Sequence, residues 1–261
     1  MPAPENKLKT ALQNGEVQMG LWLALANPTT AAIAAGAGYD WCLIDGEHGP
    51  NTVATILSQV QAMAGQGATV VARIPSKDEQ IIKQILDLGI QTILVPLVDT
   101  AADARAIVAA TRYGPDGIRG HGAGLTRASD YGGIEDYGTT ANDQICVMVQ
   151  AETQKAMENL AEISAVDGID GVFIGPADLS ADMGFLGRPD APEVVNVIEK
   201  GIDTIKAAGK APGIVTFKIE ALKRYADQGV TFLGVGGDAT TYAKAVRDLA
   251  HDANSILSQS R

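Results

Sequence analysis

The chain has 261 residues, 46% of them hydrophobic, and a formal net charge of −11 with an isoelectric point near 4.7. That length admits one large domain or two small ones, and the apolar share is enough for a sizeable core. The acidic balance excludes sequence-independent nucleic-acid binding, which needs basic surface to displace counterions, and argues against an anionic membrane surface, while a local basic pocket for a small anion stays open.

Residues 4–14 read as a short amphipathic helix stopped at Gly15. Apolar strand-like runs then alternate with helical patterns. Strands are expected at 18–25, 39–44, 69–74 and 91–97, and helices at 28–35, 51–64, 78–88 and 100–111. Residues 112–142 form a long, Gly-rich, polar and irregular segment carrying Arg119, Gly120 and His121. Segments of that length are commonly functional or mobile. Four further strands are expected at 145–150, 171–174, 211–216 and 231–235. Their helices fall at 153–164, at 192–208 after a Gly/Pro-punctuated stretch at 175–191, before Gln228, and at 239–258.

This pattern gives eight β/α pairs with no linker, low-complexity tract or strong repeat, hence a single domain over 1–261. Each strand is a continuous Val/Ile/Leu-rich run, as in a parallel sheet covered by helices. The expected fold is an α/β (β/α)₈ barrel. A doubly wound open sheet is the alternative, but no Gly-x-Gly-x-x-Gly follows the first strand. Cys42 and Cys146 each sit in an apolar run and read as buried reduced thiols. Neither a signal-peptide pattern nor an apolar run of about 18 residues occurs, so no membrane span is expected and the cytoplasm is the expected location.

In such barrels chemistry gathers at the C-terminal ends of the strands. There the sequence places Asp45, Glu47 and His48 after strand two and Arg73 at the end of strand three. Gln150 and Glu152 end strand five, and Asp178 follows strand six within Gly175-Pro176-Ala177-Asp178. Each residue alone has an ordinary reading: a helix cap for Asp45, Glu152 or Asp178, a surface histidine for His48, a tight turn for Gly175 to Ala177. Their convergence from four strands favours a site. Glu152 and Asp178 are carboxylates on adjacent strand ends, the donor set of a hard divalent cation such as Mg²⁺ or Mn²⁺, with Co²⁺ and Zn²⁺ as alternatives. His48 suits proton transfer near neutrality, with Asp45 expected to orient its ring. Arg73 is either an ion-pair partner in the mouth or the cation facing a developing enolate. The Gly175 to Ala177 turn would offer N–H groups to a substrate carboxylate. A Schiff-base mechanism needs a strand-end lysine, and the one candidate, Lys218, begins a helical pattern and reads as solvated, which favours a metal Lewis acid over imine chemistry.

At these residues the sequence resembles the metal-dependent (class II) pyruvate aldolases of the HpcH/HpaI family. The matching stretches are WCLIDGEHGPN at 41–51, Arg73-Ile74-Pro75, Val95-Pro96, YGPDGIRG at 113–120, VQAET at 149–153 and GIDGVFIGPADLSADMG at 168–184. The similarity runs from about Gly20 to the final helix.

The resemblance implies a (β/α)₈ barrel whose last helix packs in a neighbouring subunit, within a homohexamer built as a trimer of dimers. It puts the metal on Glu152 and Asp178, gives acid/base work to His48 with Asp45, and turns Arg73 towards the enolate. It sets Gln150 beside bound pyruvate, and Trp22 and Val215 near the aldehyde end. Glu47 would orient metal-bound water from behind the ligands. His121 departs from the small apolar residue usual at its position and is expected to alter substrate preference. The expected reaction is reversible aldol cleavage of a 4-hydroxy-2-oxo acid to pyruvate, or hydroxypyruvate, and an aldehyde. The alternatives are a CoA-thioester lyase of the citrate-lyase β-like branch and a non-catalytic barrel that binds oxo acids. Partners are therefore a small 2-oxo acid and an aldehyde, with no nucleic acid and no membrane.

Overall fold

A computed structural model describes residues 1–258. Eight parallel strands close into a barrel in sequence order, β8 pairing with β1. They are β1 (Gln18–Leu23), β2 (Trp41–Asp45), β3 (Thr69–Arg73), β4 (Thr92–Val95), β5 (Cys146–Ala151), β6 (Gly171–Ile174), β7 (Ala211–Val215) and β8 (Phe232–Gly237). The helices include α1 (Lys7–Gln13), α2 (Pro28–Ala35), α3 (Val53–Met63), α4 (Glu79–Asp87) and α5 (Ala101–Thr111). After these come α6 (Tyr137–Gln144), α7 (Gln154–Glu158), α8 (Leu160–Ser164), α9 (Pro176–Asp182), α10 (Pro192–Ala207), α11 (Leu222–Gln228) and α12 (Asp238–Ser258). The expected barrel is thus the observed one.

Two apolar layers hold it. Outward-facing strand residues such as Ile44, Ala72, Val95, Val149 and Ile174 pack beneath the helices. Inward-facing residues fill the barrel: Trp41, Leu43, Leu94, Met148, Phe173 and Phe232. Trp41 stacks on Phe232 with ring centroids 4.0 Å apart. This aromatic filling needs a bare backbone beside it, since a Cβ on Gly20 would stand 1.9 Å from the Trp41 ring. Leu8 and Leu12 of α1 join the inner layer, so α1 plugs one end of the barrel. Asn6 fixes that plug, its side chain donating to Thr92 Oγ1 and to the Gln144 carbonyl at 3.0 Å each. These partners lie at the starts of β4 and β5. The plugged end is therefore the N-terminal one, and the opposite end is left open.

Three differences from the expected elements have physical causes. Residues 112–142, expected irregular, contain the start of α6. Its sequence, YGTTANDQ, is poor in helix formers, and tertiary contacts hold it: Tyr137 and Ala141 are buried, and Lys9 and Arg112 donate to carbonyls at its C-terminal end. The helix expected at 153–164 is broken at Asn159, whose side-chain amide turns away to donate to the Asp99 carbonyl at 2.8 Å. The punctuated stretch 175–191 contains α9, with Pro176 at its first turn, where a missing N–H costs nothing.

Candidate active site

The open end of the barrel holds a cavity of about 360 Å³, lined among others by Trp22, His48, Arg73, Gln150, Asp178 and Val215. Asp45 and the Gly175 to Ala177 turn also line it. The sequence-predicted residues therefore meet in one place, with Glu47 and Glu152 tied to its wall and His121 the exception.

Strand register builds the centre. Asp45 and Arg73 are paired residues at the ends of β2 and β3. The guanidinium grips both carboxylate oxygens, Nε to Oδ1 at 2.9 Å and Nη2 to Oδ2 at 2.6 Å. Both residues are buried, 7% exposed for Arg73 and 3% for Asp45. Such a charge-assisted fork fixes a guanidinium in one plane. Asp45 Oδ1 also accepts the backbone N–H groups of Glu47 and His48, at 3.0 and 3.2 Å. Asn51 ties the Asp45 carbonyl at 2.8 Å and is itself held by Gln59.

This geometry revises the expected role of Asp45. Its carboxylate is engaged by Arg73 and by backbone donors, so it shapes the loop and the cation rather than orienting the imidazole. The carboxylate beside the ring is that of Glu47, with Oε2 3.9 Å from His48 Nε2. The His48 side chain is 65% exposed at the cavity edge. Glu47 also approaches the third guanidinium nitrogen, 2.9 Å from Arg73 Nη1. Burial pushes its carboxyl above the ordinary range; Arg73 and His48 pull against that shift, and Asp45 and Asp178 add to it.

Glu152 follows β5, one residue beyond the pair Ala151 and Ile174, and faces Gly175. A Cβ on Gly175 would stand 2.7 Å from Glu152 Oε2 and 2.9 Å from Gln150 Nε2, so only glycine leaves this corner open. Leu97 donates its backbone N–H to Glu152 Oε1 at 2.9 Å, and Gln150 Nε2 donates to Oε2. Leu97 does so from a left-handed backbone, φ 55°, which a branched side chain adopts only under constraint. Burial raises the Glu152 pKa to about 7, with Glu47 and Asp178 adding to the rise and the Leu97 N–H opposing it.

The donor set fits a hard divalent cation. Glu152 and Asp178 bring carboxylate oxygens from adjacent strand ends, and Glu47, Glu152 and Asp178 repel one another electrostatically. Gln150 Oε1 is a buried acceptor with no hydrogen-bond partner, whereas Glu47 Oε2 is ion-paired with Arg73. Among the described residues no group of three or more His, Cys, Asp or Glu stands at ligand spacing. The protein thus offers two carboxylates, a pattern suited to an ion that keeps water and substrate oxygens in its remaining positions.

His121 lies elsewhere. It belongs to the α5-to-β5 connection, which runs along the plugged end, and its ring packs 4.9 Å from that of Tyr113. Within one chain it does not reach the cavity. The lysine expected as the imine candidate, Lys218, is exposed and paired with Asp190 at 2.5 Å. Lys210 donates to the Ile169 carbonyl at the other end of the barrel. Sequence reasoning missed Asp238, Phe217 and Thr240, which line the cavity after β7 and β8. The signal for Asp238 was present, an acid directly after a strand, but the expected strand eight stopped at Val235.

Comparison with known proteins gives the family of the chain. The family model described as HpcH/HpaI aldolase/citrate lyase matches residues 18–245. A hydroxypyruvate/pyruvate aldolase of Agrobacterium fabrum is 52% identical over 250 residues, 96% of this chain and 94% of its own. A 4-hydroxy-2-oxo-heptane-1,7-dioate aldolase of Salmonella dublin is 55% identical over 246 residues, 94% of each chain. The crystal structure of an HpcH/HpaI aldolase/citrate lyase family protein from Burkholderia cenocepacia superposes with a TM-score of 0.91 at 36% identity, covering 95% of this chain and 99% of that one. With a family match over most of its length and relatives above half identity, the chain belongs to the HpcH/HpaI aldolase/citrate lyase family.

Proposed function

We propose that the chain catalyses reversible aldol cleavage of a 4-hydroxy-2-oxo acid, giving pyruvate or hydroxypyruvate and an aldehyde. The observation that carries this reading is the fixed Arg73 guanidinium set among carboxylates at the strand ends, beside an exposed imidazole. The relatives named as aldolases act on substrates of this class.

Glu152 and Asp178 would hold a divalent cation, Mg²⁺ or Mn²⁺, which when bound supplies Lewis-acid polarisation of the 2-oxo group. The Gly175 to Ala177 turn and Gln150 receive the oxo-acid end, and Trp22 and Val215 face the aldehyde end. In the cleavage direction His48, through a water, takes the proton of the 4-hydroxyl. The C4–O bond becomes a carbonyl as the C3–C4 bond breaks, and that electron pair passes into the 2-oxo group. Arg73 is pre-oriented by Asp45, so its positive charge meets the developing enolate without reorganisation. A proton returned to C3 gives pyruvate. Glu47, between Arg73 and His48, holds the proton-handling groups in register.

The same reading has the chain working as a homohexamer in the cytoplasm, with α12 covered by a neighbouring copy. In its favour, Asp238 is the buried residue of α12 while Tyr242, Val246 and Leu249 form an exposed apolar stripe at helical spacing. No helix of the described residues is long and apolar enough to cross a membrane.

Exchange of the pyruvate methyl protons in D₂O tests the reading without knowledge of the aldehyde. With Mg²⁺ or Mn²⁺ present, the methyl signal is expected to fade. Binding of pyruvate and metal with no exchange would replace the aldolase by a non-catalytic oxo-acid-binding barrel.

A further inference from the structure

The barrel closes where β8 meets β1, and this seam is irregular. Gly20 pairs with Gly234 and Trp22 pairs with Gly237, so two steps along β1 match three along β8. The extra residue is a β-bulge, and Gly236 carries it with φ 131°, a backbone region that side chains avoid. Bulges re-aim the residues that follow them. Here the next residues are Gly237 and Asp238, the latter opening α12.

Asp238 reaches across the seam. Its Oδ1 accepts the Ala24 N–H at 2.8 Å and the N–H of its own neighbour Ala239 at 2.6 Å. Its Oδ2 accepts the Leu25 N–H at 3.3 Å. The carboxylate thus holds the first two residues after β1, and Ala26 then turns left-handed at φ 51°. An alanine keeps that conformation only where its surroundings impose it. The clamped segment is a wall of the cavity: Trp22, Ala24, Gly237, Asp238, Ala239 and Thr240 all face it. The proton-handling cluster of Asp45, Glu47, His48 and Arg73 stands on β2 and β3, and the hydrogen bonds of Asp238 go to backbone N–H groups of the seam.

We infer that Asp238 is a positioning residue for the aldehyde half of the site: it fixes the Trp22 to Leu25 wall on which the aldehyde is seated and oriented, and takes no part in proton transfer. This rests on the aldolase reading given above.

The test uses the full-length chain carrying Asp238→Asn or Asp238→Ala, with two readouts. The first is methyl-proton exchange of pyruvate in D₂O, which involves no aldehyde. The second is aldol addition, read as KM for the aldehyde and as the diastereomer ratio of the product. Exchange is expected to stay within about twofold of wild type, while the aldehyde KM rises about tenfold and the product ratio shifts. Asp238→Asn is expected to show the smaller change, because its amide oxygen retains one acceptor. Exchange and addition falling together would overturn the inference, as would both remaining unchanged. If Asp238→Ala does not fold, Asp238→Asn decides on the same readouts, and loss of fold in both makes Asp238 a general structural residue instead. A wild-type chain that exchanges no protons would sink the aldolase reading itself, a result distinct from any of these.

Discussion

The two ends of the barrel each bury an arginine against a carboxylate, and they use it differently. At the plugged end Arg119 binds Asp87 at 2.7 Å and stacks 4.4 Å over the Tyr113 ring. Nearby, Lys9 and Arg112 donate to carbonyls at the end of α6, the favourable place for cations on a helix. Positive charge there closes chain ends. At the open end Arg73 faces an excess of acid: Asp45 and Glu47 in contact, Glu152 and Asp178 within electrostatic reach of Glu47. Arg119 keeps two buried nitrogens, Nε and Nη1, without hydrogen-bond partners, but it faces one carboxylate and an aromatic ring rather than a cluster of acids. The open end carries more carboxylate than Arg73 neutralises, which leaves a place for a cation and a substrate.

The largest expected effect comes from breaking the two arginines in parallel. Lysine keeps the charge but cannot span both Asp45 oxygens and Glu47 at once. Arg73→Lys is expected to lower turnover by on the order of 10²–10³, the scale of losing one preorganised electrostatic donor. Arg119→Lys is expected to leave turnover within about twofold while costing roughly 1–3 kcal/mol of stability through a weakened bond to Asp87 and lost stacking on Tyr113. Steady-state rates and thermal melts on both variants check this. Equal losses of turnover would erase the functional distinction between the ends.

His48 sharpens the contrast within the open end. Positioned proton transfer typically contributes at least about 10²-fold in rate, and His48→Ala is expected to lose on the order of 10² in turnover, the low end because the Glu47 carboxylate stands beside the ring. Its side chain is 65% exposed, and surface substitutions usually change stability by less than about 0.5 kcal/mol. The melting temperature should therefore hardly move. A variant with near-normal turnover would pass the proton-transfer role to another group, Glu47 being the nearest.

Much of the open end was legible because barrel topology turns strand ends into a list of neighbours. Asp45 and Arg73 each close a continuous apolar run, and adjacent strands in register must bring them together. What the sequence could not reveal was the competition inside the cluster. Asp45 stands three residues before His48, which suggests a ring partner, yet a guanidinium in register offers two charge-assisted bonds and takes the carboxylate. Asp238 was hidden by its bulge, since Gly236 interrupts the apolar run two residues before the acid. The break at Asn159 was equally hidden, because it depends on a carbonyl some sixty positions away in sequence, at Asp99. His121 lies away from the cavity of its own chain for a different reason. Its segment follows a helix and precedes a strand, which in this topology directs it to the plugged end.

A smaller effect tests the excess acid at the open end through pH. Glu152 titrates at about 7 in the metal-free chain, above its ordinary 4.5. A carboxyl raised on folding favours the folded state while protonated. Its stabilisation is complete below about pH 4.5 and is lost as pH rises through about 7. Glu152→Gln cannot ionise and should be free of that loss. In excess chelator, the melting temperature of the variant minus that of wild type is expected to grow from about pH 5 to about pH 8. A flat difference would mean that Glu152 is not held protonated by burial. If Glu152 holds the cation as proposed, added Mn²⁺ is expected to bind more tightly as pH rises towards 7 and to release a proton below it, measurable by calorimetry in buffers of different ionisation heat.

The smallest expected effect is at Lys218, and it separates two chemistries. An imine-forming lysine must be neutral to attack a carbonyl, which burial or a neighbouring cation achieves by lowering its pKa. Lys218 has neither. Its hydrogen bond and ion pair with Asp190 raise its pKa, and its side chain is 55% exposed. The amine is therefore held as an ammonium, and it stands apart from the residues that line the cavity. Lys218→Met is expected to keep turnover within about twofold, and borohydride with pyruvate should leave the wild-type mass unchanged. A borohydride-trapped adduct at Lys218 would move the reaction from the carboxylate cluster to the amine, and the unpaired Gln150 oxygen beside Glu152 would then need another explanation.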